Sequence, residues 1–230
     1  MGHNTLFHVT ITGYPELLEP HPISLQDRIE AFKALSKDVG PERVWWRYDP
    51  IILTQTLDWS YHFHRFQTLC GALRGSTTRV TFSLLDPYQK TRRRLKPLET
   101  TLGPVSWVDG TEETTQESLR HLAKLARNAG MRPVVCCEPH LEEAGLEGAP
   151  CIDAEAVRQL FNLAVTSRAD PGQRTHCLCA ASHDIGAPDT CIGGCPYCYS
   201  TRSTLYPLQR NDAHDPESEF LFVPNQPIKG

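Results

Sequence analysis

The apolar positions of the first two thirds of the chain follow two spacings, one typical of strands and one typical of helices. Four short stretches rich in β-branched and aromatic residues predict strands at 6–13, 43–53, 79–85 and 131–137. Apolar residues repeated every three or four positions predict helices that begin near Ser24, Trp59, Thr115 and Asp153. Ser24 with Asp27 resembles a loose capping box at the start of the first helix, and Gly40 with Pro41 predicts its end.

Strands that alternate with helices imply parallel βαβ units. Four such units, each strand followed by a polar loop, favour part of a (β/α) barrel over an open nucleotide-binding sheet, because no glycine-rich phosphate loop is present. Barrel enzymes carry their chemistry at the carboxyl ends of the strands. This rule selects Glu16, Arg47, Asp49, Asp86, Cys137 and Glu138.

Arg47, Asp49 and Glu138 are the predicted catalytic residues of this set. Arg47 and Asp49 are two positions apart and should project from one face of a strand end. Such a pair would either orient a carboxylate or phosphate of a substrate, or form an ion pair that is purely structural. The basic run at 92–94 is read as a solvated helix face, and His62 and His64 as ordinary core or surface histidines.

From Arg168 onward glycine, proline and cysteine replace the periodic apolar pattern. The sequence therefore predicts a barrel-like domain at 1–165 and a cysteine-rich segment at 166–230 packed on it. Because this segment lacks the apolar residues for a core of its own, a bound metal is the expected source of its order.

The overall composition is that of an ordinary globular protein. The chain has 230 residues, of which 40% are hydrophobic and 22% charged, with a net charge of −4. This charge gives no reason to expect nucleic acid or an anionic membrane as a partner. No apolar run approaches the roughly 20 residues of a membrane span, and no secretory signal is visible. We expect a soluble, cytoplasmic protein.

Nine cysteines are present, and most of them lie in the second half of the chain. In a reducing compartment clustered thiols favour metal or redox chemistry over disulfides. The densest group is Cys191, Cys195 and Cys198, spaced C-x3-C-x2-C with Gly193 and Gly194 between the first two. Three thiolates leave one iron of a four-iron cluster without a protein ligand, whereas a structural zinc would need a fourth ligand from Cys177, Cys179 or His183.

The remaining cysteines leave two interpretations open. Cys177 and Cys179, with Cys137 and Cys151, would supply four thiolates for a second metal centre. Alternatively Cys137 and Cys151 are small buried residues, as free cysteines often are. Cys70 and Cys136 are interpreted as packing residues, the latter because it should point away from Cys137 in a strand.

Several motifs together resemble the proteins grouped as domain of unknown function 1848. They are Phe-His-Val-Thr-Ile-Thr-Gly-Tyr at 7–14, Val-Trp-Trp-Arg-Tyr-Asp-Pro-Ile at 44–51, Asp-Ile-Gly at 184–186, Cys-Ile-Gly-Gly-Cys-Pro-Tyr-Cys-Tyr at 191–199 and His-Asp-Pro-Glu-Ser at 214–218. Members carry a C-terminal cysteine cluster similar to that of radical S-adenosylmethionine (radical SAM) enzymes. Here the cysteine block follows the last predicted strand instead of the first, and members begin with a further segment. The resemblance thus implies a partial or permuted TIM-barrel-like fold.

The resemblance also implies a function. Cys191, Cys195 and Cys198 would ligate a [4Fe–4S] cluster, and Tyr197, Gly193 and Gly194 would contact S-adenosylmethionine. The cofactor would be cleaved to a 5′-deoxyadenosyl radical that acts on an unknown substrate, with a flavodoxin or ferredoxin as reductant. The alternative is a non-catalytic zinc or iron–sulfur module. A third and weaker interpretation is a nucleic-acid enzyme that resembles the radical SAM lesion-repair lyases, which depends on the basic run at 92–94 and a shared cluster type.

Overall fold

The structure is a computed structural model that describes residues 3–20, 23–203 and 205–219. Its strands are β1 (Phe7–Thr10), β2 (Val44–Ile51), β3 (Arg79–Leu84) and β4 (Arg132–Val135). Its helices are α1 (Leu25–Val39), α2 (Trp59–Leu73), α3 (Gln89–Leu95), α4 (Glu99–Leu102), α5 (Glu113–Asn128), α6 (Pro139–Glu143), α7 (Ala154–Phe161) and α8 (Leu205–Asp212).

The four strands form one parallel sheet in the order β1-β2-β3-β4, so each strand pairs with the one that precedes it in the chain. Arg47 lies level with Thr10 of β1 and with Thr81 of β3, which aligns the carboxyl ends of the strands at one edge. The prediction of a mixed α/β fold with parallel strands is confirmed.

Local sequence accounts for where the helices begin. Ser24 accepts a hydrogen bond from the backbone N–H of Asp27 at 3.1 Å, as the capping box predicts. Asp58 caps α2 in the same way, through the N–H of Tyr61 at 2.8 Å. Each cap satisfies a backbone donor that the first helical turn leaves free.

The alternation of side chains along β2 gives the sheet two different faces. Trp46 and Tyr48 are fully buried against the helices, and Trp46 stacks on Phe66 of α2 with 4.9 Å between ring centroids. Trp45 and Arg47 lie on the opposite face, which we call the second face. The face that carries Trp46 and Tyr48 thus packs into an apolar core, and the second face carries charged groups.

The chain divides into two compact units, both discontinuous in sequence. The sheet unit consists of Met1–Gly13, Ile23–Asp86 and Leu102–Ser182, and the cysteine-loop unit of Tyr14–Pro22, Pro87–Thr101 and His183–Gly230. The division at residue 165 expected from the sequence stays a prediction. Within the described ranges, no helix is both long enough and apolar enough to cross a membrane.

Candidate functional site

The carboxyl end of β2 carries an ion pair on the second face of the sheet unit. Arg47 donates to the carboxylate of Asp49 through Nε at 2.7 Å and also through Nη2. Ser83 of β3 donates its hydroxyl to the other carboxylate oxygen of Asp49. The side chains of Arg47 and Asp49 are only 20% and 16% exposed. The two residues predicted from the strand-end rule are therefore brought together, and Asp49 has partners on two strands.

Two cysteine thiols adjoin this ion pair. Nη1 of Arg47 lies 2.8 Å from Sγ of Cys151, and that sulfur lies 3.2 Å from Sγ of Cys136. The hydrogen bond with Cys136 lowers the pKa of the Cys151 thiol; burial opposes this shift, and the positive charge of Arg47 adds to it. The same hydrogen bond raises the pKa of Cys136, and burial raises it further. Cys136, interpreted from the sequence as a packing residue, is buried, and its thiol also contacts the thiol of Cys151.

The segment that carries Cys151 is held by Arg79 of β3. Arg79 donates to the carboxylate of Asp153 at 3.0 Å and to the carbonyl oxygen of Pro150 at 2.7 Å. Its guanidinium also lies over the ring of Trp45, 4.0 Å from the centroid. A buried arginine with these three partners fixes the backbone on both sides of Cys151. No local feature of the sequence distinguishes Arg79, since Pro150 and Asp153 lie more than 70 positions away and Trp45 lies in another strand.

His8 of β1 completes this part of the second face. Its Nε2 lies 3.0 Å from the carbonyl oxygen of Cys151, so Nε2 carries the proton and Nδ1 is a bare acceptor. Burial, followed by the charges of Arg47 and Arg79, lowers the pKa of His8 to about 4. Three buried polar atoms on this face have no partner among the described residues: His8 Nδ1, Arg79 Nε and Thr81 Oγ1. Such atoms suit contact with a small polar ligand.

Glu138 lies just after β4, at the carboxyl edge of the sheet. Its Oε1 accepts a hydrogen bond from the backbone N–H of Leu84 at 2.7 Å. Burial raises the pKa of Glu138 to about 8, and the neighbouring charge of Asp86 acts in the same direction. The carboxyl group is therefore protonated at neutral pH. A protonated carboxyl group at the end of a strand can donate a hydrogen bond or a proton to a bound molecule.

The cysteines proposed for a second metal centre are not drawn into a ligand set. Cys179 is buried, and its sulfur accepts from the backbone N–H of Ile152 at 3.4 Å. Cys137 takes a positive φ of 58° just after β4 and points its thiol at the carbonyl oxygen of Thr175. Over residues 3–20, 23–203 and 205–219, no group of three histidine, cysteine, aspartate or glutamate side chains is arranged to hold a metal ion.

The cysteine block lies in the cysteine-loop unit. Cys191 is exposed and Cys195 and Cys198 are half-buried, and none of the three forms a disulfide. The backbone turns tightly here, because the N–H of Cys198 donates to the carbonyl oxygen of Cys195 at 3.1 Å. Gly194 has a φ of +70°, and a Cβ there would lie 3.2 Å from the ring of Pro20. A glycine is therefore required between the first two cysteines.

Residues distant in sequence anchor this block. Tyr197 donates its hydroxyl to Glu19 at 2.9 Å, and its ring packs edge-on against Tyr14. Burial raises the pKa of Tyr197, and the charge of Glu19 adds to the effect. Arg94 of α3 donates to the carbonyl oxygen of Cys198 and to the hydroxyl of Thr201. Arg94, predicted to be a solvated side chain, is thus a structural contact of the cysteine block.

The donor chemistry of the block fits an iron–sulfur cluster, since thiolates are the ligands that such clusters take. Its three cysteines form no disulfide and lie within eight residues on a loop that is anchored through Tyr197 and Cys198. In the described geometry they do not converge on a common point. Binding itself would have to bring the three sulfurs together, as is common where metal binding and folding are coupled.

Together these features define a class, namely α/β proteins with a parallel sheet, polar groups at its carboxyl edge and a separate cysteine-rich loop. The chain belongs to the family described as domain of unknown function (DUF1848), whose family model matches residues 1–200. No curated protein and no solved structure gives a match.

Proposed function

We propose that the protein is a radical SAM-type enzyme that binds a [4Fe–4S] cluster through Cys191, Cys195 and Cys198. The observation that carries this proposal is the C-x3-C-x2-C spacing of three cysteines on a glycine-containing loop, which Glu19 anchors through Tyr197 and Arg94 through Cys198. When bound, the cluster would supply an open iron for S-adenosylmethionine and the electron that cleaves it.

The residues of the cysteine-loop unit would position the cofactor. Tyr197 is held rigidly by Glu19 and Tyr14, so its ring offers a fixed apolar surface next to the last cysteine. Gly194 would contribute the positive φ of the turn that carries the cysteines, and Gly193 a backbone without a side chain beside the cofactor.

The substrate would be bound on the second face of the sheet. In a (β/α) barrel one face of the sheet packs on helices and the other faces the interior, and the sequential parallel order of β1–β4 fits a portion of such a barrel. Arg47 and Asp49 would orient polar groups of the substrate. Glu138, protonated at neutral pH, would donate a hydrogen bond or a proton.

A metal-binding module without catalytic activity is the second candidate. It is favoured by the irregular backbone between residues 183 and 203, where the described structure contains turns and bends but no helix or strand. A metal held by the three cysteines would then act as a cross-link. This alternative also uses Cys191, Cys195 and Cys198, but it makes no use of Glu138 or Arg47.

Anaerobic reconstitution tests both candidates. The protein would be incubated with iron and sulfide, assayed for bound iron and visible absorbance, and then treated with dithionite and S-adenosylmethionine. We expect about four iron atoms per chain and formation of 5′-deoxyadenosine. Both should be lost in Cys195→Ala and kept in Cys177→Ser, the matched control outside the block.

Three other outcomes would change the conclusion. A colourless protein with stoichiometric zinc contradicts the iron–sulfur assignment. An iron–sulfur cluster that leaves S-adenosylmethionine intact favours the structural module. A loss of iron in Cys177→Ser would place a second centre at Cys177 and Cys179.

A further inference from the structure

Cys136 and Cys151 are adjacent thiols that the fold holds in place from both sides. Their sulfurs are 3.2 Å apart, longer than the S–S bond of about 2.05 Å, and both cysteines are free. The backbone of β4 is bonded to the segment before Cys151, because the N–H of Ala149 donates to the carbonyl oxygen of Val135 at 3.0 Å. Cys136 and Cys151 are fifteen positions apart in sequence, and the fold holds their backbone segments side by side.

The two thiols are not equivalent. Cys151 is half-buried, and its sulfur accepts a hydrogen bond from Nη1 of Arg47 at 2.8 Å. Cys136 is only 7% exposed and makes no hydrogen bond with that guanidinium. A positive charge and a donor thiol at one sulfur favour the thiolate there, which is the reactive form. Cys151 therefore has the character of the attacking sulfur and Cys136 that of its neutral partner.

We propose that Cys136 and Cys151 form a thiol–disulfide exchange site for a small-molecule disulfide, with Cys151 as the nucleophile and Cys136 as the resolving cysteine. The half-burial of Cys151 favours a small disulfide over one within a folded protein. This activity requires no metal, and it uses none of the thiols assigned to the iron–sulfur cluster.

The exchange has two steps. The thiolate of Cys151 attacks one sulfur of the disulfide RSSR, forms the mixed disulfide Cys151–S–SR and releases RS⁻. Cys136 then gives up its proton and attacks Sγ of Cys151, which forms the Cys136–Cys151 disulfide and releases the second RS⁻. The two cysteines lose two electrons and RSSR is reduced to two RS⁻, which become thiols by taking up the proton released by Cys136 and one proton from solvent.

The test uses the full-length protein, purified anaerobically, reduced and freed of reductant. It would be treated with oxidised glutathione, quenched with acid, alkylated with iodoacetamide and mapped by peptide mass spectrometry. In the wild type we expect a Cys136–Cys151 disulfide. In Cys136→Ser glutathione should remain on Cys151, and in Cys151→Ser Cys136 should stay reduced. We expect Cys151 to react at least about tenfold faster than the buried Cys70.

Two controls separate this proposal from the others. Cys70→Ser should leave the exchange unchanged, since Cys70 lies within α2. Cys195→Ala should leave it unchanged while it abolishes iron binding, so failure of one proposal does not imply failure of the other. Circular dichroism would show whether each variant folds, and the wild-type peptide map needs no variant.

Three results would overturn the proposal. In the wild type, Cys136 and Cys151 could both stay reduced while the exposed Cys191 carries glutathione. Cys151 could instead pair with Cys179. In folded Cys136→Ser, Cys151 could remain unmodified at a glutathione concentration that oxidises the wild-type pair.

Discussion

Tyr197 donates a hydrogen bond to Glu19 across 178 positions of sequence, at a distance of 2.9 Å. Glu19 is 5% exposed, so its carboxylate depends on protein donors in place of water. The contact ties the cysteine block to the segment at 14–20 within the cysteine-loop unit. It therefore fixes the loop before any ligand is bound.

Removing the phenolic hydroxyl should destabilise this loop. Tyr197→Phe keeps the ring but takes a donor from a buried carboxylate, and we expect a loss of roughly 1–3 kcal/mol. The change would be measured by urea denaturation and by the rate of proteolysis within 183–203. The matched control is Tyr199→Phe, because Tyr199 is 65% exposed. Equal effects of the two variants would contradict a structural role for the Glu19 contact.

The Arg47–Asp49 pair should contribute more to stability than an exposed pair in the same unit. Asp49→Asn leaves the charge of Arg47 in a poorly solvated position, and we expect a loss of roughly 3 kcal/mol in the free energy of unfolding. Arg132→Gln breaks the exposed pair with Glu147 and should cost less than about 1 kcal/mol. Urea denaturation of both variants at pH 7 tests the difference. A cost for Asp49→Asn no greater than that for Arg132→Gln would show that Asp49 is not required to neutralise Arg47.

Glu138 should make the protein less stable as the pH rises. Its pKa is 4.5 in the unfolded chain and about 8 in the fold, so the folded state binds more protons between these values. Its stabilising contribution is complete below pH 4.5 and is lost as the pH rises through 8. Glu138→Gln keeps an oxygen for the N–H of Leu84 and cannot ionise. At pH 8 we expect the variant to be more stable than the wild type by roughly 1–3 kcal/mol.

The control for this series is Glu143→Gln, since Glu143 is exposed on the same stretch of chain. Thermal denaturation would be recorded from pH 5 to 8 for all three proteins. Glu138→Gln should flatten the decline of stability with pH, and Glu143→Gln should not. If stability declines as steeply with pH in Glu138→Gln as in the wild type, a group other than Glu138 causes the decline.

His62 should make the protein less stable as the pH falls. The ring is buried between the hydroxyl of Tyr48 and the carbonyl oxygen of Ile52, and burial lowers its pKa from 6.5 to about 4. The unfolded state then binds more protons, so stability is complete above pH 6.5 and is lost as the pH falls toward 4. We expect a loss of roughly 1–3 kcal/mol over that range.

His62→Gln should remove part of this acid sensitivity, and His64→Gln should not, because His64 lies exposed on the same helix. Both variants would be compared by their change in melting temperature between pH 7 and 4.5. The slope is the informative quantity, since His62→Gln also changes packing at neutral pH. If the change in melting temperature between pH 7 and 4.5 is the same in His62→Gln as in the wild type, the acid sensitivity belongs to His8, whose pKa is lowered as well.

The regular elements of the sheet unit could be predicted from local sequence. α2 begins where the pattern predicts, at Trp59, and β2 lies within the predicted range 43–53. Apolar periodicity suffices there because each element buries one face against the same core. The composition of the cysteine-loop unit could not be predicted in this way. It joins segments at 14–22, 87–101 and 183–230, and no local pattern reports an association over such separations.

The candidate site was predictable only where it follows from strand geometry. The strand-end rule selects Arg47 and Asp49, and the structure places them in contact. The contact between Cys136 and Cys151 was missed, because Cys151 lies in an irregular segment and no local pattern reports its approach to β4. Glu19 and Arg94 were missed for another reason, since a charged residue looks solvated until its distant partner is known.

The strand order has a consequence for how the sheet unit is made. Each strand pairs only with its immediate predecessor and successor in the chain, so no strand has to wait for a partner that the ribosome has not yet produced. Synthesis at roughly 5–20 residues per second is slow compared with the pairing of neighbouring elements. The sheet would therefore grow in one direction as the chain emerges, with β1 and β2 joined first. Cys151 emerges only after all four of these strands have been synthesised.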